Sequence, residues 1–106
     1  MLLQQLSISP ALAGAHPHFH SHAINVLVVG RRRWALVPPS RAEFALRPAL
    51  EHFSRLRWGD ADGEAGAEPP WLTTVQQPGD ALFVPAQWEH ATLSLADSVA
   101  VAAEFV

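Results

Sequence analysis

The chain contains no cysteine among its 106 residues. Disulfides, thiolate metal sites and a cysteine nucleophile are therefore excluded. Any metal site must draw its ligands from the histidine, aspartate and glutamate residues. Because the redox compartment is read from cysteine usage, the sequence predicts no compartment for the protein.

The chain also has little charge and no long apolar run. Charged residues make up 16% of the sequence, the formal net charge is −3, and the basic run is residues 31–33. We therefore expect no direct contact with nucleic acid. No apolar segment is long enough to span a membrane, so no membrane partner is expected. The first residues lack a basic start and include Gln4, Gln5 and Pro10, so a signal peptide is not predicted.

Short β-like segments dominate what is present. A chain of this length is expected to form one compact domain, which we assign to residues 1–106. The segment 24–29 is predicted to be a buried strand, and Gly30 with Arg31 is predicted to turn it into the next strand as a hairpin. The predicted strands are 3–8, 24–29, 33–37, 71–76, 81–84, 90–95 and 99–105. This series favours a small all-β barrel or sandwich.

The β pattern is interrupted by an insertion at about residues 40–70. Pro48 can occupy the first turn of a helix, and Leu50, Phe53 and Leu56 fall on one face at helical spacing. Residues 59–70 are rich in glycine, alanine, proline and acidic residues, which is typical of a surface loop. We therefore predict one short helix and a loop within the domain.

Four histidines alternate along one short segment, at positions 16, 18, 20 and 22. In an extended chain, residues two apart project from the same face, so His18 and His20 can converge on one ion. Neutral imidazole suits iron, zinc, copper and nickel. His90, at the start of a predicted strand, is the candidate third ligand, whereas His52 is expected at the surface. Such tracts also occur as solvated loops or as adventitious metal binders, and spacing alone does not decide between these readings.

Two blocks of the sequence resemble the core of the JmjC (Jumonji-C) oxygenase family. The first block is Gly14-Ala-His-Pro-His-Phe-His20 followed by residues 25–39, and the second is residues 77–95 followed by 98–105. The blocks occur in the family's order and cover nearly the whole chain outside the insertion. The resemblance implies an all-β double-stranded β-helix, the cupin or jelly-roll barrel, with one short helix in the insertion.

The resemblance also implies a set of metal ligands. Members of the family are typically Fe(II)- and 2-oxoglutarate-dependent hydroxylases or demethylases, whose iron is held by His, a carboxylate two residues on, and a distant His. His18 and His90 match the two His positions, and His20 stands where the carboxylate should be. A three-His site can still bind iron, so all three are the predicted ligands, with His16 and His22 as bystanders. The chain is most similar to the lumenal Jumonji-domain subgroup, which also has His-x-His.

Three further residues are singled out by the same resemblance. Arg32 stands where the family often has a lysine that pairs with the distal carboxylate of 2-oxoglutarate, and a guanidinium can bind a carboxylate through two parallel hydrogen bonds. Asn25, on the preceding strand, is a second candidate contact for this co-substrate. Glu104 stands near the metal and, if it points inward, supplies negative charge there. Alternatively, residues 31–33 form a solvated turn, Asn25 satisfies backbone groups, and Glu104 lies at a solvated sheet edge. Glu89 should face away from His90 and is a weaker candidate.

Three functions remain as hypotheses at this point. The first is a non-haem Fe(II)/2-oxoglutarate oxygenase that hydroxylates or demethylates a protein. The second is a catalytically degenerate JmjC-like module for metal or protein binding, which the missing carboxylate motivates. The third is a three-His cupin dioxygenase that acts on a small molecule without 2-oxoglutarate. The partner is thus a protein substrate or a small molecule, the oligomeric state is not predicted, and the chain is either a minimal domain or a fragment with a shifted start.

Overall fold

The computed structural model describes residues 2–18, 21–41, 49–55 and 72–105, with only the backbone described at residues 2, 3, 16–18, 41, 52, 54 and 55. Within these ranges the chain forms eight strands, one short 3-10 helix and one α-helix. The strands are β1 (Leu2–Ser9), β2 (Gly14–His18), β3 (His22–Val29), β4 (Arg32–Val37), β5 (Leu72–Gln76), β6 (Ala81–Val84), β7 (Glu89–Ser94) and β8 (Ser98–Phe105). The 3-10 helix is Pro39–Arg41 and α1 is Ala49–Arg55.

The strands form two four-stranded sheets with antiparallel pairing. The order in the first sheet is β1-β8-β3-β6, and in the second it is β2-β7-β4-β5. Apart from β4 and β5, which pair with each other in the second sheet, successive strands alternate between the two sheets around a shared interior. This winding is a double-stranded β-helix, so the predicted fold class is confirmed.

The predicted hairpin between β3 and β4 is wrong, because the two strands lie in different sheets. Gly30 between them has a φ of 99°, a conformation that glycine adopts without steric cost. A Cβ atom at this position would lie 2.5 Å from the carbonyl oxygen of Asp97. The chain therefore leaves the first sheet at Gly30 and enters the second, which brings Arg32 into the barrel wall.

The prediction of a buried strand at residues 24–29 holds for one face of the strand only. Burial alternates along β3, where Asn25 and Leu27 are buried while Ile24 and Val28 are exposed. This alternation shows that one face of the first sheet lines the interior while its outer face is left open by the part of the chain that the structure describes. Asn25 thus lies on the inner face.

The two central strands of the second sheet, β7 and β4, are buried on both faces, because α1 packs against the outer side of the sheet. Every residue of β4 and β7 is buried. Ala49 and Phe53 of α1 form a cluster with the outward-facing residues Ala35, Ala91 and Leu93. The packed residues of α1, Ala49 and Phe53, are four apart, and Leu50 is half-exposed although it was predicted to share a face with Phe53. Pro48, Leu56 and residues 59–70 lie outside the described residues.

No helix in the described ranges is long and apolar enough to cross a membrane.

Candidate metal and anion site

His90 is held in an orientation that suits a metal ligand. It is the second residue of β7 and is 3% exposed. Its Nδ1 lies 3.0 Å from the carbonyl oxygen of Trp88, and its ring stacks on Trp34 with 6.0 Å between the centroids. Because a carbonyl only accepts hydrogen bonds, Nδ1 of the neutral ring carries the proton and Nε2 carries the lone pair. Metal-binding histidines are oriented in the same way by a hydrogen bond from the other ring nitrogen.

His18 lies directly opposite His90 in the ladder between β2 and β7. The register of this ladder shifts by one residue between Ala15 and His18. Without the shift, the pairing of Ala15 with Thr92 would continue to place Pro17 opposite His90. Residues directly opposite in an antiparallel pair have Cα atoms about 4.5–5.5 Å apart. The backbone therefore brings together the two positions that the sequence predicted as ligands.

The third predicted ligand, His20, lies outside the described residues. Among the side chains that are described, no group of three His, Asp or Glu residues is placed to hold a metal ion. Because the side chain of His18 and the whole of His20 are not among them, the three-His site stays a prediction.

His22 has contacts that set it apart from the other histidines of its segment. Its Nδ1 accepts a hydrogen bond of 2.9 Å from the backbone N–H of Ala86. Its ring lies 5.8 Å from that of Phe83 and 5.9 Å from that of Phe105. These contacts give His22 a structural role and support its assignment as a bystander. The side chains of His16 and His52 are not described.

A cavity of about 150 Å³ lies between the two sheets and is lined by Asn25, Arg32, Trp34, His90 and Thr92 among others. We call it the barrel cavity. Three residues that the sequence predicted separately, one for metal and two for co-substrate, thus line the same cavity.

Arg32 places a buried positive charge at the wall of the barrel cavity. The residue is 4% exposed, and its Nη2 donates a hydrogen bond of 3.3 Å to Ser7 Oγ. Burial lowers the pKa of Arg32, and no carboxylate of the described residues pairs with it. A buried cation is costly unless it is paired, which makes this wall attractive to an anion. The alternative prediction of a solvated turn is wrong for Arg32, and Arg31 alone of the three arginines is exposed.

Arg33 is buried as well, but on the opposite face of the sheet. Its guanidinium carbon lies 5.2 Å from the centroid of the Phe53 ring, which belongs to α1. Burial lowers its pKa to about 10, so the group is still charged at neutral pH. Arg33 therefore packs against α1 and does not line the barrel cavity.

Asn25 is fixed by side chains that the sequence analysis missed. Its Oδ1 accepts a hydrogen bond of 3.2 Å from Gln76 Nε2, and Gln76 Oε1 accepts one of 2.9 Å from Trp34 Nε1. The prediction that the Asn25 side chain merely satisfies backbone groups is therefore wrong. Gln76 carries no distinguishing signal in the sequence, because it is one of two adjacent glutamines. Only the register of β5 shows that Gln76, and not Gln77, is buried.

Glu104 lies in an interior strand of the first sheet and not at its edge, since β8 is flanked by β1 and β3. The residue is half-buried, and its Oε1 accepts a hydrogen bond of 3.2 Å from the backbone N–H of Ser21. Its carboxylate is thus held one residue beyond His20 along the chain. Glu89, by contrast, is buried within β7 at the position that alternates with His90, and so lies on the α1 side of the sheet.

Two antiparallel sheets wound around a cavity with a buried histidine define a protein of the cupin class. Solved structures with this fold include a ribosomal oxygenase from Escherichia coli, YcfD, with a TM-score of 0.65 and 18% identity over 97% of this chain and 22% of that chain. They also include an RmlC-like cupin from Shewanella frigidimarina, with a TM-score of 0.60 and 15% identity over 97% of this chain and 64% of that chain. At these identities the likeness shows the fold.

Within that class, the chain belongs to the JmjC family, because the family model described as "JmjC domain, hydroxylase" matches residues 15–105. JmjC domain-containing protein 8 from Rattus norvegicus is 35% identical over 87% of this chain and 33% of its own length. Lysine-specific demethylase JMJ21 from Arabidopsis thaliana is 30% identical over 95% of this chain and 12% of its own length. The 2-oxoglutarate and iron-dependent oxygenase JMJD4 from Danio rerio is 26% identical over 78% of this chain and 21% of its own length. The chain thus spans a third or less of these relatives.

Proposed function

We propose that this chain is an Fe(II)- and 2-oxoglutarate-dependent oxygenase domain that acts on a protein side chain. The observation that carries the proposal is that His90, Arg32 and Asn25 all line the barrel cavity. Such a site needs a metal ligand and hydrogen-bond donors for an anion, and the residues proposed for these roles line the same cavity.

The metal is proposed to bind His18, His20 and His90. In support of this, the hydrogen bond from His90 Nδ1 to Trp88 leaves Nε2 as the ligand atom. The ladder register places His18 opposite His90. Glu104 is proposed to add negative charge near the site, since its carboxylate is held against the backbone next to His20.

The co-substrate is proposed to bind in the barrel cavity with its distal carboxylate on Arg32. A cavity of about 150 Å³ admits a small organic molecule, since an apolar cavity of this size binds benzene. Arg32 has no acidic partner among the described residues, so a carboxylate can neutralise its charge without displacing an existing ion pair.

The residues of the chain have distinct roles in this reaction. When bound, Fe(II) supplies activation of oxygen coupled to oxidative decarboxylation of 2-oxoglutarate. The hydrogen bond to Trp88 and the Trp34 ring hold the imidazole of His90 in place. Arg32 and Asn25, both buried in the cavity wall, bind and orient the co-substrate. A protein as substrate is proposed because relatives carry the names of lysine- and arginine-specific demethylases.

A catalytically degenerate module is the second candidate, and His20 in place of the carboxylate favours it. A neutral ligand in place of an anion leaves Fe(II) one unit more positive, which changes its redox balance.

Oxygen consumption by the iron-loaded protein, measured with and without 2-oxoglutarate, separates the hypotheses. We expect consumption by the wild-type chain that requires 2-oxoglutarate. If consumption begins only after the substitution His20→Asp, the chain is a degenerate module. Consumption that does not depend on 2-oxoglutarate would instead identify a three-His dioxygenase and overturn the proposal.

A further inference from the structure

Gln76 joins the two sheets through a side chain whose orientation is determined by its partners. It is the last residue of β5 and is 3% exposed. Its Oε1 accepts from Trp34 Nε1 at 2.9 Å, and its Nε2 donates to the backbone oxygens of Asn25 and Asp80, both at 3.0 Å. An indole N–H only donates and a carbonyl only accepts, so the amide of Gln76 can take only this orientation.

The orientation of Gln76 determines that of Asn25. Nε2 of Gln76 lies 3.2 Å from Oδ1 of Asn25, and the reversed Asn25 amide would bring two NH₂ groups together. The Nδ2 group of Asn25 donates to none of the residues that the structure describes. Because Asn25 lines the barrel cavity, this NH₂ group is the one that Asn25 offers to a ligand there.

Gln76 is also linked to the metal side of the cavity. Trp34, which donates to Gln76, stacks on the ring of His90. Gln76 itself is not among the residues that line the cavity, so it acts on the ligand only through Asn25 and Trp34.

We propose that Gln76 is a positioning residue that turns the Asn25 amide so that its NH₂ group faces the barrel cavity. This wall then donates hydrogen bonds and, with the Arg32 guanidinium, selects an anionic ligand over a neutral or cationic one. The inference rests on the proposed function for the identity of the ligand, 2-oxoglutarate. The orientation itself is a property of the protein without ligand.

Side-chain amide hydrogen exchange, measured by NMR on the metal-free wild-type protein, tests the orientation directly. The NH₂ hydrogens of Gln76 should exchange slowly because they are buried and hydrogen-bonded, and those of Asn25 should exchange faster because they face the cavity. Exchange at Asn25 as slow as that at Gln76 would overturn the proposal. This measurement needs neither 2-oxoglutarate nor a folded variant.

The dissociation constant of 2-oxoglutarate for the iron-loaded, oxygen-free protein tests the consequence. Gln76→Glu removes the donor that faces Asn25 Oδ1, so the Asn25 amide should reverse. The dissociation constant should then rise roughly 10- to 100-fold, as for the loss of a hydrogen bond to a charged group. Gln77→Glu makes the same chemical change at the exposed neighbouring residue and should leave the constant within about threefold, since a surface substitution changes little.

Repeating Gln76→Glu in an Asn25→Ala background separates positioning from a merely structural role. If Gln76 acts through Asn25, the substitution should add less than about threefold to the loss already caused by Asn25→Ala, because coupled residues are not additive. Fully additive losses would overturn the proposal. If wild-type protein binds no 2-oxoglutarate, the proposed function fails, and the exchange measurement still decides the orientation of Asn25.

Discussion

His18 and His90 are backbone partners in the ladder between β2 and β7, and an irregularity in β2 after Ala15 is what pairs them. In a regular ladder Pro17 would occupy the place opposite His90. The even spacing of the four histidines therefore does not make them equivalent, because the shift in register changes which residue of β2 is paired with His90.

The first prediction concerns the division of the histidines into ligands and bystanders. His18→Ala and His90→Ala should each weaken Fe(II) binding by more than about 100-fold, since changes to groups that only support the ligands already cost 10- to 100-fold. His16→Ala and His22→Ala are the matched controls and should leave the affinity nearly unchanged. Calorimetric titration without oxygen measures all four. An equal loss in all four variants would show an adventitious polyhistidine site.

The second prediction concerns the buried charge at Arg32. Arg32→Met should raise the dissociation constant of 2-oxoglutarate roughly 10- to 100-fold, because a hydrogen bond to a charged group is lost. It should not lower the free energy of unfolding, since the buried cation has no acidic partner in the described parts of the chain. Arg32→Lys keeps the charge but not the two parallel hydrogen bonds and should show an intermediate loss.

Calorimetry and denaturant unfolding of the two Arg32 variants together check this. A large loss of stability with unchanged affinity for 2-oxoglutarate would mean that Arg32 is structural and does not bind the co-substrate.

The third prediction concerns the packing of α1 on the second sheet. Phe53 is 2% exposed and packs against the sheet and against the Arg33 guanidinium. Phe53→Ala should lower the free energy of unfolding by about 3–5 kcal/mol. Leu50→Ala, one turn away and half-exposed, should change it by less than about 1 kcal/mol. Urea unfolding measures both, and equal effects would contradict the placement of the helix.

The fourth prediction concerns the passage from the first sheet to the second at Gly30. Gly30 and Gly79 both have positive φ, of 99° and 91°. An alanine at either position should cost about 1–2 kcal/mol of backbone strain. At Gly30 the added Cβ would also crowd Asp97 and Ser98, whereas at Gly79 it meets no atom within 4 Å.

Gly30→Ala should therefore lower the free energy of unfolding by at least about 1 kcal/mol more than Gly79→Ala does, the usual minimum for overpacking. Thermal unfolding of the two variants measures the difference. Equal losses would show that the sheet-to-sheet passage tolerates a side chain.

Local patterns in the sequence predicted most strands, because alternation and turn residues act over a few positions. Ala81–Val84 was predicted with its observed bounds, and β4, β5, β7 and β8 were predicted to within one residue at either end. The pairing of β3 and β4 was not predicted correctly, because partners at least 36 residues apart in the chain, as Leu36 and Leu72 are, decide which sheet a strand joins. β3 pairs with β6 and β8, and β4 with β5 and β7.

The residues of the candidate site likewise include some that the sequence predicted and some that it did not. The resemblance to a family singled out Asn25, Arg32 and His90, and all three line the barrel cavity. Gln76 could not be found from the sequence, since its role depends on contacts with Trp34 and Asn25 across two sheets. The sequence also did not show which residues of the run 31–33 are buried, because burial there depends on the covering helix and on the opposite sheet.

The most direct test of the proposed centre is the titration of 2-oxoglutarate into the Fe(II)-loaded protein in the absence of oxygen, followed by visible absorption. The structure predicts a new absorption band that saturates at one equivalent per chain and is absent in His90→Ala. An unchanged spectrum in the wild-type protein would contradict the account, and so would an equal change in His90→Ala, because the iron and the co-substrate would then not meet at His90.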